Sequence, residues 1–233
     1  LALILASAYL YAYLFAKPML SMGPSALVLL IASVLTVLLC LLMGEYLNIN
    51  AMPVALGAML VVNLLGARPA YVTNMALTLI ITLLTAKGTG LVTSQTMSVL
   101  LTCSLGGLVA IWMMRKNTTR VMVVVSGLVV GAVNFGVLVC VHALTSSDMS
   151  GVWSDMAYAI GGAVVSAVLC VGLQPILETA FNLVTPSKLI ELSNPNQPLL
   201  RRLMIETPGT YHHSMVVANL AEAAAEAVGA NAL

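Results

Sequence analysis

VLLTCSLGGLVAIWMMRKNTTRVMVVVSGLVVGAVNFGVLVC, residues 99–140, decides the fold. Two apolar runs flank the hexapeptide RKNTTR (115–120), which holds three of the chain's nine basic residues. Neither run contains an acid or a base, and each belongs to a stretch of the roughly 20 apolar residues that a helix needs to cross hydrocarbon. The whole chain has the same character, 61% hydrophobic and 7% charged, where a soluble domain is about a quarter charged. The sequence therefore predicts a membrane protein with a small soluble appendage. A net charge of +1 leaves no electrostatic footprint for nucleic acid, which is excluded as a partner.

Working outward, seven candidate spans follow: residues 1–16, 25–44, 51–66, 70–86, 95–114, 121–143 and 156–177. The third and fourth are short, separated only by Ala67, Arg68 and Pro69, and are alternatively a pair of broken half-helices. Position of the basic residues favours seven spans, because cytoplasmic loops collect Lys and Arg. With the N-terminal side outside, Lys17, Arg68, Arg115, Lys116, Arg120, Lys188, Arg201 and Arg202 fall inside and Lys87 alone falls outside. The acids Glu45, Asp148 and Asp155 fall outside as well. Merging the third and fourth spans would move Lys17 outside and weaken the pattern. The chain opens at Leu1 within an apolar run and lacks the basic n-region of a signal peptide. It reads as an internal piece of a longer protein.

Chemistry inside the spans is sparse. Asn63, Asn74 and Asn134 are polar residues at membrane depth, expected to bond across helices or, alternatively, to line an ion or ligand path. Gly127 to Gly131 (GLVVG) form a G-x-x-x-G helix-packing pattern. His142 lies at the outer end of the sixth span, an interfacial position. Cys40, Cys103, Cys140 and Cys170 sit singly in apolar runs and read as small hydrophobes. NTT at Asn117 matches a glycosylation acceptor, but on a cytoplasmic loop it is discarded. The metalloprotease, serine-hydrolase and P-loop motifs are absent from the spans.

After Pro175 the composition changes. Residues 1–178 are expected to form the membrane domain, 179–206 a linker of short helices, and 207–233 the start of another domain. Thr185 and Pro186 read as N-cap and first helical residue, and NPNQP (194–198) as a break. LLRRLMIE (199–206) is another short helix, whose Arg201 and Arg202 are placed to touch anionic headgroups. Thr207 and Pro208 open the last helix in the same way, and Gly229 stops it.

That last helix carries His212 and His213. At about 100° per residue its apolar stripe runs Val217, Leu220, Ala221, Ala224 and Val228. His213, four residues before Val217, continues the stripe, whereas His212 projects toward Val216, Asn219 and Ala223. Glu222 and Glu226 lie opposite. On this pattern His213 is either a core or edge residue or a metal ligand. A metal site needs three or more ligands, and no other His and no Asp occurs in residues 185–233.

TPGTYHHSMVVANLAEAAAEAVGAN (207–231) resembles the opening helix of an HD-type phosphohydrolase domain. MPVALGAML (52–60), the stretch from Leu173 to Ser214, and the order of spans are similar to the seven-transmembrane receptors with an intracellular HD hydrolase domain. The known members of that family include bacterial cyclic-di-AMP phosphodiesterases. The resemblance implies an all-α, multi-pass protein of the bacterial inner membrane, with an extracytoplasmic sensor domain ahead of the spans and the HD domain in the cytoplasm. It implies a cyclic dinucleotide substrate and a divalent metal pair, manganese or iron, held by a first His, a His-Asp dyad and a final Asp. His213 matches the first His, and His212 becomes a supporting or substrate-side residue. The dyad and final Asp have no counterpart in residues 1–233, so these residues alone are expected to be inactive. Two other functions compete: a non-enzymatic transporter or receptor, and an HD hydrolase acting on another nucleotide.

Overall fold

The computed structural model describes residues 23–89, 93–115, 119–145, 151–183 and 185–229. Among these the secondary structure is helical, without strands. The helices are α1 (Gly23–Tyr46), α2 (Leu56–Leu65), α3 (Ala67–Thr89), α4 (Ser94–Met114), α5 (Arg120–Thr145), α6 (Val152–Ala180), α7 (Pro186–Leu192), α8 (Pro198–Glu206) and α9 (Pro208–Ala227). Chain contacts divide after Leu183 into a bundle, α1 to α6, and a second unit, α7 to α9. In hydrocarbon a backbone polar group finds no water, so apolar runs of this length form helices that close their own hydrogen bonds.

Five helices are long and apolar enough to span: α1, α3, α4, α5 and α6. They match five of the six expected spans that fall among the described residues. The first expected span, 1–16, lies outside them. The third, 51–66, is not a full helix. Asn48 caps a 3-10 turn at Ile49–Ala51 by accepting from the Asn50 N–H, 2.9 Å. Met52 to Ala55 are not helical, and α2 then has only ten residues, about 15 Å at 1.5 Å per residue. The cause is local: Pro53 lacks an N–H and clashes with a preceding turn. Gly66, at φ +94°, separates α2 from α3.

This broken segment still runs most of the length of α6. At its start Asn48 meets Asp155, and near its end Asn63 meets Gln174. Those partners are 19 residues apart on α6, about 28 Å. Non-helical backbone is tolerated at membrane depth only inside protein, and Ala51 to Ala55 are all buried. Gly162 of α6 makes the approach possible, because a Cβ there would lie 2.7 Å from the Ala51 carbonyl oxygen. All ten residues of α2 are buried, and Leu56, Met59 and Leu60 are fully enclosed in the main core. The expected glycine pattern packs as anticipated, with Gly127 against Ala167 and Gly131 against Ala163 and Ile160.

The end of α6 closes in a Schellman motif. Asn182 takes the left-handed conformation at φ 48°, and the Leu183 N–H donates to the Glu178 carbonyl, 3.0 Å. In the second unit Thr185 caps α7, accepting from the Lys188 N–H at 3.2 Å. Thr207 behaves differently from the expectation. Its hydroxyl donates to the Leu203 carbonyl of α8, 3.2 Å, and makes no cap bond to α9. Gly229, at φ +69°, ends α9 as expected.

Candidate functional sites

His212 and His213 lie in the first two turns of α9, and both are exposed. The expected buried stripe is corrected here: α9 has no buried residue, and Val217 and Leu220 are 50% and 67% exposed. Within its unit α8 packs on it, which is too little surface to cover the stripe. No group of three or more His, Cys, Asp or Glu among the described residues is placed to hold a metal ion. One imidazole is one donor, so the described residues do not complete a metal centre and no hydrolytic step is assignable to them.

Asn63, Asn74 and Asn134, the asparagines expected at membrane depth, do bond or seat across helices. Asn63 of α2 donates from Nδ2 to Gln174 Oε1, 3.0 Å, and lies 3.7 Å from the Cys170 sulfur, both on α6. Gln174 Nε2 donates in turn to Glu178 Oε1, 2.8 Å. A chain of side-chain bonds therefore leads from a buried amide toward the end of α6. Its signal in the sequence is Gln174, a glutamine before Pro175 within an apolar run. Asn74 of α3 and Asn134 of α5 both rest on the glycine pair of α4. Asn74 donates to the Ser104 carbonyl, 3.3 Å, and fills the space a Gly107 side chain would occupy. Asn134 Oδ1 would be 3.0 Å from a Cβ on Gly106. Among the described residues Asn63 Oδ1, Asn134 Oδ1 and the Thr78 and Thr82 hydroxyls are buried without a hydrogen-bond partner.

A third site is a cavity of about 390 Å³ where α1 and α5 end and α4 and α6 begin. Its lining includes Asn48, Ser98, His142 and Asp155. His142 Nε2 is 3.5 Å from Asp155 Oδ2, and Nδ1 is 3.0 Å from the Leu138 carbonyl. Asn48 Nδ2 is 3.4 Å from Asp155 Oδ1. Of these residues sequence reasoning singled out His142 for its interfacial place and Asp155 only for its charge. The lining is drawn from residues up to 111 positions apart, Gly44 to Asp155, and only folding brings them together.

A family described as 7TM receptor with intracellular HD hydrolase matches residues 1–185. The chain is similar to the cyclic-di-AMP phosphodiesterase PgpH of Bacillus subtilis (strain 168), with 35% identity over 216 residues, 88% of this chain and 30% of that one. It is also similar to the protein of the same name from Listeria monocytogenes serotype 1/2a, with 43% identity over 131 residues, 55% of this chain and 18% of that one. An uncharacterized protein of a Synechocystis species is 49% identical over 78 residues, 34% of this chain and 10% of its own. The chain thus spans less than a third of the length of the first two relatives. No solved structure matches it.

Proposed function

Because the chain belongs to the 7TM receptors with intracellular HD hydrolase, we propose that the whole protein is a membrane-bound, metal-dependent phosphodiesterase. Its substrate is a cyclic dinucleotide, cyclic-di-AMP, and its activity is regulated through the membrane bundle. The observation that carries this reading is the 35% identity to a named cyclic-di-AMP phosphodiesterase, extending over 88% of the chain. The bundle lies in the bacterial inner membrane with its α9 side in the cytoplasm. Seven of the eight basic residues assigned to the inner side precede or follow spans in the manner of the positive-inside rule, and Lys17 before α1 completes the set. An extracytoplasmic sensor domain precedes the spans.

In this reading His213 is one ligand of a divalent metal pair, manganese or iron. Such a pair activates water and neutralises charge on the phosphate oxygens. His212 stands beside the site, on the substrate side. Residues 1–233 are inactive by themselves. The test is hydrolysis of cyclic-di-AMP by the full-length protein with manganese or iron. His213→Ala is expected to lower turnover by more than the roughly 10–100-fold typical of losing a residue that only orients a ligand. Absence of turnover, or turnover unchanged by the substitution, refutes the assignment. A second reading, solute transport, is favoured by the unpaired buried oxygens of Asn63, Asn134, Thr78 and Thr82. It requires solute flux across liposomes carrying the full-length protein, and an absence of flux rejects it.

A further inference from the structure

The cavity between the ends of α1, α4, α5 and α6 has a chemistry that hydrolysis does not use. Among the described residues Asp155 is the one carboxylate of its lining, and no described Lys or Arg lines it. The rest of the polar lining is uncharged amide and hydroxyl, with the His142 imidazole. An anion placed there would face Asp155 with no described cation to hold it, so the described lining disfavours anionic solutes. The polar lining also disfavours an apolar one.

The bonds around Asp155 are incomplete. Its two oxygens have neighbours at 3.4 Å and 3.5 Å, long for charge-assisted hydrogen bonds, which run to about 2.7–2.9 Å. The neutral form of the histidine ring accounts for one of these gaps. Nδ1 lies 3.0 Å from the Leu138 carbonyl, which only accepts. In the neutral ring the proton therefore sits on Nδ1, and Nε2 turns a lone pair toward Asp155 Oδ2. Two acceptors then face each other across 3.5 Å. A group with several N–H donors and a positive charge, placed within reach of both, satisfies them together.

We propose that this cavity is a binding site for a small solute bearing a primary ammonium group, with Asp155 as its charge partner and His142 Nε2 as a second acceptor. Its volume, about 390 Å³, lies in the range of small-ligand pockets, roughly 300–1,000 Å³. The site stands at the start of the broken segment: Asn48, which bonds Asp155, is also the residue that caps the 3-10 turn. The binding site is independent of the hydrolase reading, and only the side of the membrane it faces rests on the orientation proposed above.

Three solutes with one four-carbon skeleton test the chemistry: putrescine, 1,4-butanediol and succinate. Each is titrated calorimetrically into the full-length protein in phosphatidylcholine nanodiscs, whose headgroups carry no net charge. Putrescine is expected to bind saturably, butanediol at least tenfold more weakly, and succinate not at all. Asp155→Asn is expected to weaken putrescine binding at least tenfold and His142→Leu a few-fold, so the second variant carries the test if the first fails to fold. Butanediol or succinate binding as tightly as putrescine overturns the proposal, as does absence of saturable putrescine binding or an affinity unchanged in the folded variants. Cyclic-di-AMP hydrolysis plays no part in the readout, so failure here leaves the hydrolase assignment to its own test.

Discussion

Gly161 and Gly162 are neighbours on α6 with opposite surroundings. A Cβ built on Gly161 has nothing within 4 Å, whereas one on Gly162 would lie 2.7 Å from the Ala51 carbonyl oxygen and 2.9 Å from both the Ala51 carbonyl carbon and the Met52 oxygen. These are backbone atoms of the end of the buried 3-10 turn and the residue after it and cannot rotate aside. Ordinary contact begins near 3.4 Å, so Gly162→Ala must push the stretch away by roughly 0.7 Å in a close-packed interior. Overpacking of this kind costs about 1–3 kcal/mol, and the rigidity of the neighbour places it in the upper half of that range. Gly161→Ala meets no obstacle and gains up to about 1 kcal/mol of helix propensity. The propensity gain is common to both variants, so they should differ by the overpacking cost alone, about 2–3 kcal/mol. At roughly 2–4 °C per kcal/mol for a protein of this size, Gly162→Ala melts about 4–12 °C below Gly161→Ala. The assay is thermal unfolding of both proteins in one detergent at one scan rate, because membrane-protein melting is often irreversible. Equal melting temperatures would show that the segment after Asn48 does not lie on Gly162, and the description of the third crossing would fail with it.

Two further predictions concern side-chain bonds. Asn63→Leu and Gln174→Leu, measured singly and together by thermal unfolding, should show a coupling of about 0.6 kcal/mol and up to roughly 1.7 kcal/mol, the range found for bonds between membrane helices. Strict additivity would mean that the 3.0 Å bond is not made. Thr185→Ala removes the cap bond to the Lys188 N–H and should cost the first turn of α7 about 1 kcal/mol, seen as a roughly fivefold faster amide exchange at Lys188. Thr207→Ala should leave exchange in the first turn of α9 unchanged, since Thr207 makes no cap bond there. Faster exchange at that turn would contradict the placement of its hydroxyl on α8.

The long helices were legible because length and apolarity suffice in lipid. Expected spans 95–114 and 121–143 appear as Ser94–Met114 and Arg120–Thr145. The expected last span, 156–177, starts too late because Asp155 looks like loop, although a carboxylate in a first turn is favourable beside the helix dipole. Residues 51–66 defeated the same criterion. Hydropathy records that a residue is apolar, and a buried irregular stretch such as Met52–Ala55 is as apolar as a helix; Pro53 is the local warning. The position of His213 on α9 followed from helical phase and motif, but the burial of its stripe did not, because burial depends on partners that phase cannot supply. The cavity was not legible at all. Its acceptors come from separate helix ends, and no spacing in the sequence aligns His142 with Asp155.

One helix, α6, touches four features of the bundle. Asp155 in the first turn of α6 faces the cavity, Gly162 seats the broken segment, Ala163 and Ala167 receive the glycines of α5, and Gln174 joins Asn63 to Glu178. Coupling between distant sites requires an element with more than one arrangement that both sites bias. A straight, uniformly packed helix would be a poor candidate, since it could shift only as a whole against close-packed neighbours. α6 differs at two points. At Gly162 its partner is a non-helical backbone held by fewer hydrogen bonds of its own, and at Pro175 the helix lacks one N–H donor to the preceding turn. A change at Asp155 would therefore be felt first by the segment from Asn48 to Ala55, which touches α6 at both Asp155 and Gly162. The Asn63–Gln174 bond, just before Pro175, then ties α2, which follows that segment, to the part of α6 that leads out of the bundle.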